Sequence, residues 1–256
     1  MVDVGRLMRN GRGFLLAYDH GFEHGPVDFD PAAGSGQAID PQYVFDIAER
    51  SGFFTGIAVQ KGIAEKYYRL EYKTPLVVKL NGKTAYHKGE ELFSPQNCSV
   101  EEAVGLGAAG VGYTIYVGSE REGESMAEFS RIQEEAHAKG LPVIMWAYPR
   151  GKHIGEAEQS KENLAYAARL ALELGADVVK VGYTGNVESM KWVVQSAGKV
   201  KVLVVGGGKS DEADVLQKTR EILETGAAGW AMGRNIWQSS DPVGLAKKIG
   251  EILYAV

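Results

Sequence analysis

A lysine stands in the middle of an apolar run, Ala176-Asp177-Val178-Val179-Lys180-Val181-Gly182-Tyr183. If the run is a strand, alternation sets Val178, Lys180 and Gly182 on one face and Val179 and Val181 on the other. In an apolar interior an ammonium is costly, so burial favours the neutral amine. That amine is the nucleophile that condenses with a carbonyl substrate to a Schiff base. The same pattern also fits a lysine paired with a carboxylate of a neighbouring strand or reaching to the rim, and it does not choose between them. Asp19, ending Leu16-Ala17-Tyr18-Asp19, can hold such a lysine's charge or order a water. Taken singly it reads equally as the cap of the following turn. Tyr148 closes Trp146-Ala147-Tyr148; its phenol can donate a proton, and Arg150 just beyond can grip a phosphate with its planar fork. An aromatic packing layer followed by a surface arginine is the plainer alternative. Gly206-Gly207-Gly208-Lys209 and Gly233-Arg234 offer exposed backbone N–H groups that an anion can approach closely.

The histidines carry less. His20 and His24 have the spacing of a helical metal pair, but Gly21 and Gly25-Pro26 set them on a loop, where zinc is a weak reading. His24 and Asp28 read equally as solvated loop residues. His87, His137 and His153 show no ligand spacing, so no metal is expected. The charged stretch 120–135 is most simply a solvated helix face.

Short Val- and Ile-rich runs at 14–19, 55–60, 75–80, 110–116, 142–148, 177–183, 201–207 and 229–233 predict strands. Amphipathic stretches lie between them; in 161–174, Leu164, Ala168 and Leu172 recur at helical spacing, and 211–223 and 243–254 behave similarly. Gly107, Gly140, Gly175 and Gly226 each stand at a helix end before the next strand, as left-handed caps do. Eight strand–helix units over 256 residues point to an α/β fold, a (β/α)8 TIM barrel filling residues 1–256 as one domain. An open doubly wound sheet is the alternative, but no G-x-G-x-x-G follows the first strand. Two long excursions, 21–41 and 81–99, fall on the strand C-terminal face, where barrel sites are built.

With 28 Lys+Arg against 33 Asp+Glu, the net charge is −5, and no basic block offers a nucleic-acid footprint. One cysteine, Cys98, excludes an internal disulfide and suits a reducing cytosol. No apolar run is long enough for a membrane helix, and the first twelve residues lack a signal peptide's apolar core. The expectation is a soluble, cytoplasmic globular protein with neither membrane nor nucleic-acid partner.

The runs AYDHGFEHGP (17–26), KGIAEKYY (61–68), KLNGKT (79–84), NCSVEEAV (97–104), VGYTIYVGS (111–119), AYPRG (147–151), ADVVKVGYTG (176–185) and MGRNIWQ (232–238) resemble archaeal-type class I fructose-1,6-bisphosphate aldolases from about Phe14 to the C-terminus. The resemblance implies a TIM barrel that reversibly splits fructose 1,6-bisphosphate into dihydroxyacetone phosphate and glyceraldehyde 3-phosphate, with no cofactor beyond a covalent Schiff base on Lys180. By the same resemblance, Tyr148 is the proton donor and Asp19 an assistant that positions water or substrate hydroxyl. His20, His24, Asp28, Trp146, Ala147 and Arg150 match the bisphosphate site, and Gly206, Gly207, Gly233 and Arg234 the phosphate grip. Gly182 and Val205 belong to the same wall but depart from the pattern: a basic residue can stand at the first and a serine is expected at the second. Family members assemble into rings, decamers among them. The resemblance thus implies a homo-oligomer; Trp192, Trp230 and Trp237 are read as exposed apolar residues that either serve its contacts or simply pack. A transaldolase making 2-amino-3,7-dideoxy-D-threo-hept-6-ulosonate, a metal-dependent aldolase (whose three His ligands the sequence does not assemble) and a non-catalytic sugar-phosphate-binding barrel are the rival readings.

Overall fold

The computed structural model describes residues 2–33, 36–86 and 90–255. Eight parallel strands close on themselves in chain order: β1 (Gly13–Ala17), β2 (Gly56–Gln60), β3 (Leu76–Lys79), β4 (Gly110–Val117), β5 (Val143–Pro149), β6 (Val178–Val181), β7 (Lys201–Val205) and β8 (Gly229–Met232). The last pairs with the first through Phe14↔Trp230 and Leu15↔Ala231, which completes the (β/α)8 TIM barrel expected from the repeat. Each of the eight strands coincides with one of the apolar runs read from the sequence, with ends that differ by up to two residues; β1, β4 and β5 each extend one residue past the run, to Gly13, Val117 and Pro149. The first stops at Ala17, so Asp19 lies beyond β1 and precedes a helical turn.

Helices α1 (His20–Glu23), α2 (Pro41–Ser51), α3 (Lys61–Tyr67), α4 (Val100–Gly105), α5 (Glu122–Ala138), α6 (Lys161–Glu173), α7 (Val187–Ser196), α8 (Glu212–Glu224), α9 (Arg234–Trp237) and α10 (Pro242–Tyr254) follow the strands in turn. Their starts are capped as the sequence dictates: Asp40, Ser99, Ser160, Asn186, Asp211 and Asp241 each accept a backbone N–H of the first turn. Gly107, Gly140, Gly175 and Gly226, all at positive φ, close the helical segments before β4, β5, β6 and β8.

Strand alternation divides the apolar side chains into two cores. Val179 and Val181 of β6 belong to the large cluster between barrel and helices, while Val178 belongs to the small one inside the barrel with Leu7, Leu15, Val77, Ile144, Trp146 and Leu203. Trp146 is the largest side chain within, and Gly112 on the next strand makes room for it: a Cβ there would lie 2.0 Å from the indole. The barrel is therefore filled from its base up to this indole, and polar side chains begin at its level.

Two expectations are corrected. Trp230 and Trp237 are buried, the first because it is an outward residue of β8 tied to Thr219 of α8 at 2.9 Å, the second because its indole packs on Tyr18 and His20 and donates to the Ala17 carbonyl. Only Trp192 of the three is exposed. His20 is not on an open loop but starts α1, whose turn is closed by His24 N–H donating to the His20 carbonyl at 2.7 Å.

Candidate active site

β5 and β6 pair with Trp146 opposite Lys180, so both point inward at one level. Lys180 is 4 % exposed. Its Nζ lies 5.1 Å from the Trp146 ring centroid, and it makes no ion pair or hydrogen bond with any described residue. Burial lowers its pKa to about 8; Asp19 and Glu23 push it back up and Lys79 pushes it further down. At pH 7 roughly one molecule in ten therefore carries the neutral amine.

Tyr148 stands two residues further along β5, one layer nearer the mouth. Burial, reinforced by the Asp19 and Glu23 carboxylates, raises its pKa well above the ordinary phenol value, with Arg150 opposing. The phenol therefore keeps its proton. Burial alone would raise Asp19, but Lys180, Lys79 and His20 together hold its carboxyl below the usual range. His20 is driven down to about 4 by burial, against the pull of Asp19, and is a neutral imidazole. Carboxylate, phenol, imidazole and a partly neutral amine thus share one water-poor space.

That space is a cavity of about 480 Å³ at the C-terminal mouth of the barrel. Of the residues singled out from sequence, it is lined by Asp19, His20, His24, Trp146, Tyr148, Arg150, Lys180, Gly182, Val205, Gly206, Gly207, Gly208, Trp230, Gly233 and Arg234. Ala147 and Asp28 are not in its wall. Ala147 faces the helices, as any residue between inward Trp146 and Tyr148 must. Asp28 stands behind the wall, where its carboxylate holds His24 Nδ1 at 2.6 Å and lies 3.8 Å from Arg234. Arg150 pairs with Glu158 at 2.9 Å and lies over the Tyr148 ring. His137 and His153 are outside the wall; His137 holds Asp177 at 2.9 Å. His87 lies outside the described residues.

The loops after β7 and β8 form a glycine cradle. Asn235 binds them into one unit, donating to the carbonyls of Gly206 and Gly208 and accepting from the Ser210 N–H. Gly207 is at φ +67, a conformation that favours glycine. At Gly233 a Cβ would meet the Ala17 carbonyl oxygen and the His20 ring at 2.5 Å. Loops after the seventh and eighth strands, leading into a short extra helix such as α9, are the place where TIM barrels hold phosphate.

The sequence reading missed Lys79 and Glu23. Lys79 ends β3 fully buried, 5.4 Å from the Trp146 ring centroid, with Glu23 at 3.5 Å, Asp19 at 3.9 Å and the Asn81 carbonyl at 3.3 Å. Glu23 also accepts from the Tyr116 hydroxyl at 3.3 Å. The signal for Lys79 was present: it closes an apolar strand just as Lys180 interrupts one. Gln159 and Lys218, also in the wall, had no such signal.

Buried polar atoms without a hydrogen-bond partner concentrate here. Among the described residues five side chains have one, and four of them (His20, Thr114, Trp146 and Arg234) line this cavity. Such atoms are costly unless a ligand's polar groups satisfy them, so the cavity is built for a polyhydroxylated or phosphorylated molecule. No group of three or more His, Cys, Asp or Glu side chains among the described residues could hold a metal ion.

Residues 14–239 match the DeoC/LacD family of aldolases. The chain belongs to that family. It is 48 % identical to the class 1 fructose-bisphosphate aldolase of Thermoproteus tenax over 247 residues, 96 % of this chain and 91 % of that one. It is 41 % identical to the class 1 enzyme of Halobacterium salinarum over 97 % of this chain and 92 % of that one. An archaeal fructose-1,6-bisphosphate aldolase, solved with its catalytic lysine covalently bound to the carbinolamine intermediate of the substrate, superposes with a TM-score of 0.92 at 46 % identity, covering 98 % of both chains. These aldolase relatives span the barrel and the cavity together.

Proposed function

We propose that this DeoC/LacD aldolase is a class I fructose-bisphosphate aldolase, with Lys180 as the Schiff-base lysine and Tyr148 as its proton donor. The observation that carries the reading is a buried amine, partly neutral and without an ion pair, on the floor of a cavity whose rim is a glycine cradle suited to phosphate.

The Lys180 amine attacks the C2 carbonyl of the open-chain ketose to give a carbinolamine. Tyr148 protonates the departing hydroxyl, water leaves, and a protonated imine remains. Its positive nitrogen draws in the electron pair of the C3–C4 bond while a base takes the C4 hydroxyl proton. Glyceraldehyde 3-phosphate departs and an enamine stays on the lysine. Protonation at C3 and hydrolysis of the imine then release dihydroxyacetone phosphate. The iminium does the polarising, so the reaction needs no metal or other cofactor. Asp19, held ionised, positions the exchanging water or hydroxyl. The amides of Gly206, Gly207 and Gly233 with Arg234 receive the phosphate beside the ketone, while Arg150 and His24 stand at the rim for the distal phosphate.

Assays of fructose 1,6-bisphosphate cleavage in parallel with heptulosonate-forming transaldol transfer test this. The expected result is cleavage that survives EDTA and disappears in Lys180→Met. Turnover only in the transaldol assay would replace the substrate assignment, and EDTA-sensitive cleavage would overturn the mechanism.

A homo-oligomer belongs to the same reading, supported by Tyr166 of α6 and Trp192 of α7, which are exposed on neighbouring helices. Light scattering at micromolar concentration should give a mass well above that of one chain. We place the enzyme in the cytoplasm, in keeping with its buried free cysteine; no helix among the described residues is long and apolar enough to cross a membrane.

A further inference from the structure

Beyond the reacting Lys180, the described residues of β6 and β7 bring no cation to the end of the cavity beneath their loops. Gly182 brings no side chain, and its place is taken: a Cβ there would lie 2.1 Å from the Gln159 side-chain oxygen. Val205, closing β7, is apolar. The glycine amides offer dipoles without a full charge. The nearby Arg234 guanidinium lies 3.8 Å from Asp28 with its Nε unpartnered, one cation partly offset by a carboxylate, and Arg150 is paired with Glu158. A phosphate dianion held by these groups alone keeps much of its charge uncompensated in a space of low dielectric.

One further cation lines the same cavity. Lys218, half-buried in the middle of α8, has no hydrogen bond and no ion pair with any described residue. The carboxylate three residues on, Glu221, is already engaged: one oxygen accepts from the Tyr183 hydroxyl at 3.1 Å and the other from the Gln217 amide at 3.2 Å. The backbone that carries Lys218 is held firmly. Its neighbour Thr219 accepts the Trp230 indole N–H at 2.9 Å, which ties α8 to β8, and the Tyr183–Glu221 bond ties it to the end of β6. A lysine on a fixed helix, lining the same cavity as the glycine cradle and without a counter-ion among the described residues, is arranged to receive charge from a ligand.

We propose that Lys218 is a specificity-determining residue of the cavity, supplying the positive charge for the phosphate next to the substrate carbonyl. This rests on the aldolase reading for the identity of the substrate, but not for the binding of phosphate. Its ammonium approaches from the helix layer, in the place that side chains at 182 and 205 leave without charge. The residue touches the phosphate and not the reacting carbons, so it governs preference for phosphorylated over unphosphorylated ketose.

The test compares wild type, Lys218→Met and Lys218→Arg in two measurements. In the first, inorganic phosphate is titrated calorimetrically, which requires no chemistry at Lys180. In the second, borohydride trapping is measured against dihydroxyacetone phosphate and against dihydroxyacetone. Loss of one charge-assisted contact should weaken inorganic phosphate in Lys218→Met about tenfold. It should also shrink the advantage of dihydroxyacetone phosphate over dihydroxyacetone by about the same factor and flatten the salt dependence of binding, while Lys218→Arg stays within about threefold of wild type. Phosphate affinity and phosphate preference within about twofold of wild type in Lys218→Met would overturn the proposal. Failure of wild type to be trapped by either ketose would instead overturn the Schiff-base reading, with the phosphate titration still deciding the role of Lys218.

Discussion

Two lysines inside the barrel lie beside one indole, and they are not equivalent. Lys79 on β3 and Lys180 on β6 are both buried, both follow inward valines, and both lie 5.1–5.4 Å from the Trp146 ring centroid. Lys79 has Glu23 at 3.5 Å and Asp19 at 3.9 Å; Lys180 has no ion pair among the described residues. Burial in an apolar strand therefore does not make a nucleophile. What separates the two is the place where the carboxylates of the loop after β1 come down. One turn of helix, α1, carries Glu23 over β3, so the ammonium of Lys79 is compensated. Lys79 in turn pushes the pKa of Lys180 down. One lysine is proposed to react and the other to keep it ready.

The largest expected effect separates the lysines outright. Lys180→Met should lower kcat for fructose 1,6-bisphosphate cleavage by roughly 10⁴-fold or more while leaving the circular dichroism spectrum intact; residual activity above one per cent in a steady-state assay would remove Lys180 from its role. Next comes Tyr148→Phe, which keeps the ring stacked on Tyr116 but removes the proton. Single-turnover imine formation should slow by about 10²- to 10⁴-fold, and an unaltered rate would move the proton donor elsewhere.

The subtler effects are read in pH profiles. With Lys180 titrating near 8, kcat/KM should fall about tenfold per unit as pH drops below that value, because the protonated amine cannot attack. Lys79→Met removes a like charge, stabilises the ammonium of Lys180 and raises its pKa. The acid limb should move to higher pH by about one unit, costing about tenfold in kcat/KM at pH 7. A limb that stays in place would make Lys79 merely structural. Glu23→Gln removes an opposite charge, so its limb should shift in the other direction, to lower pH, by about half a unit or less. Shifts of the same sign in the two variants would break the comparison.

Much of this was open to a reader of the chain alone. The strands were legible because parallel strands covered on both faces are nearly continuous apolar runs, and the helix ends because glycines at positive φ punctuate them. Lys180 was legible as an inward lysine because alternation fixes its face. Lys79 carried the same signature and was passed over beside the more conspicuous run around Lys180. Ala147, read as a site residue by resemblance, stands between inward Trp146 and Tyr148, and alternation turns its side chain toward the helices. Glu23, Gln159 and Lys218 were not legible at all. Each reaches the cavity from a helix or loop whose approach depends on tertiary packing: a single turn after β1, the segment after β5, and a helix pinned by the Thr219–Trp230 hydrogen bond. The burial of Trp237 beneath the α1 turn belongs to the same class.

The central claim is that one of two buried lysines bonds to the ketone. Incubation with dihydroxyacetone phosphate, reduction with borohydride, proteolysis and mass spectrometry report it directly. A single reduced adduct on the peptide containing Lys180, with the Lys79 peptide unmodified, is the predicted result. Adduct on Lys79, or no covalent mass at saturating ketose, would contradict it.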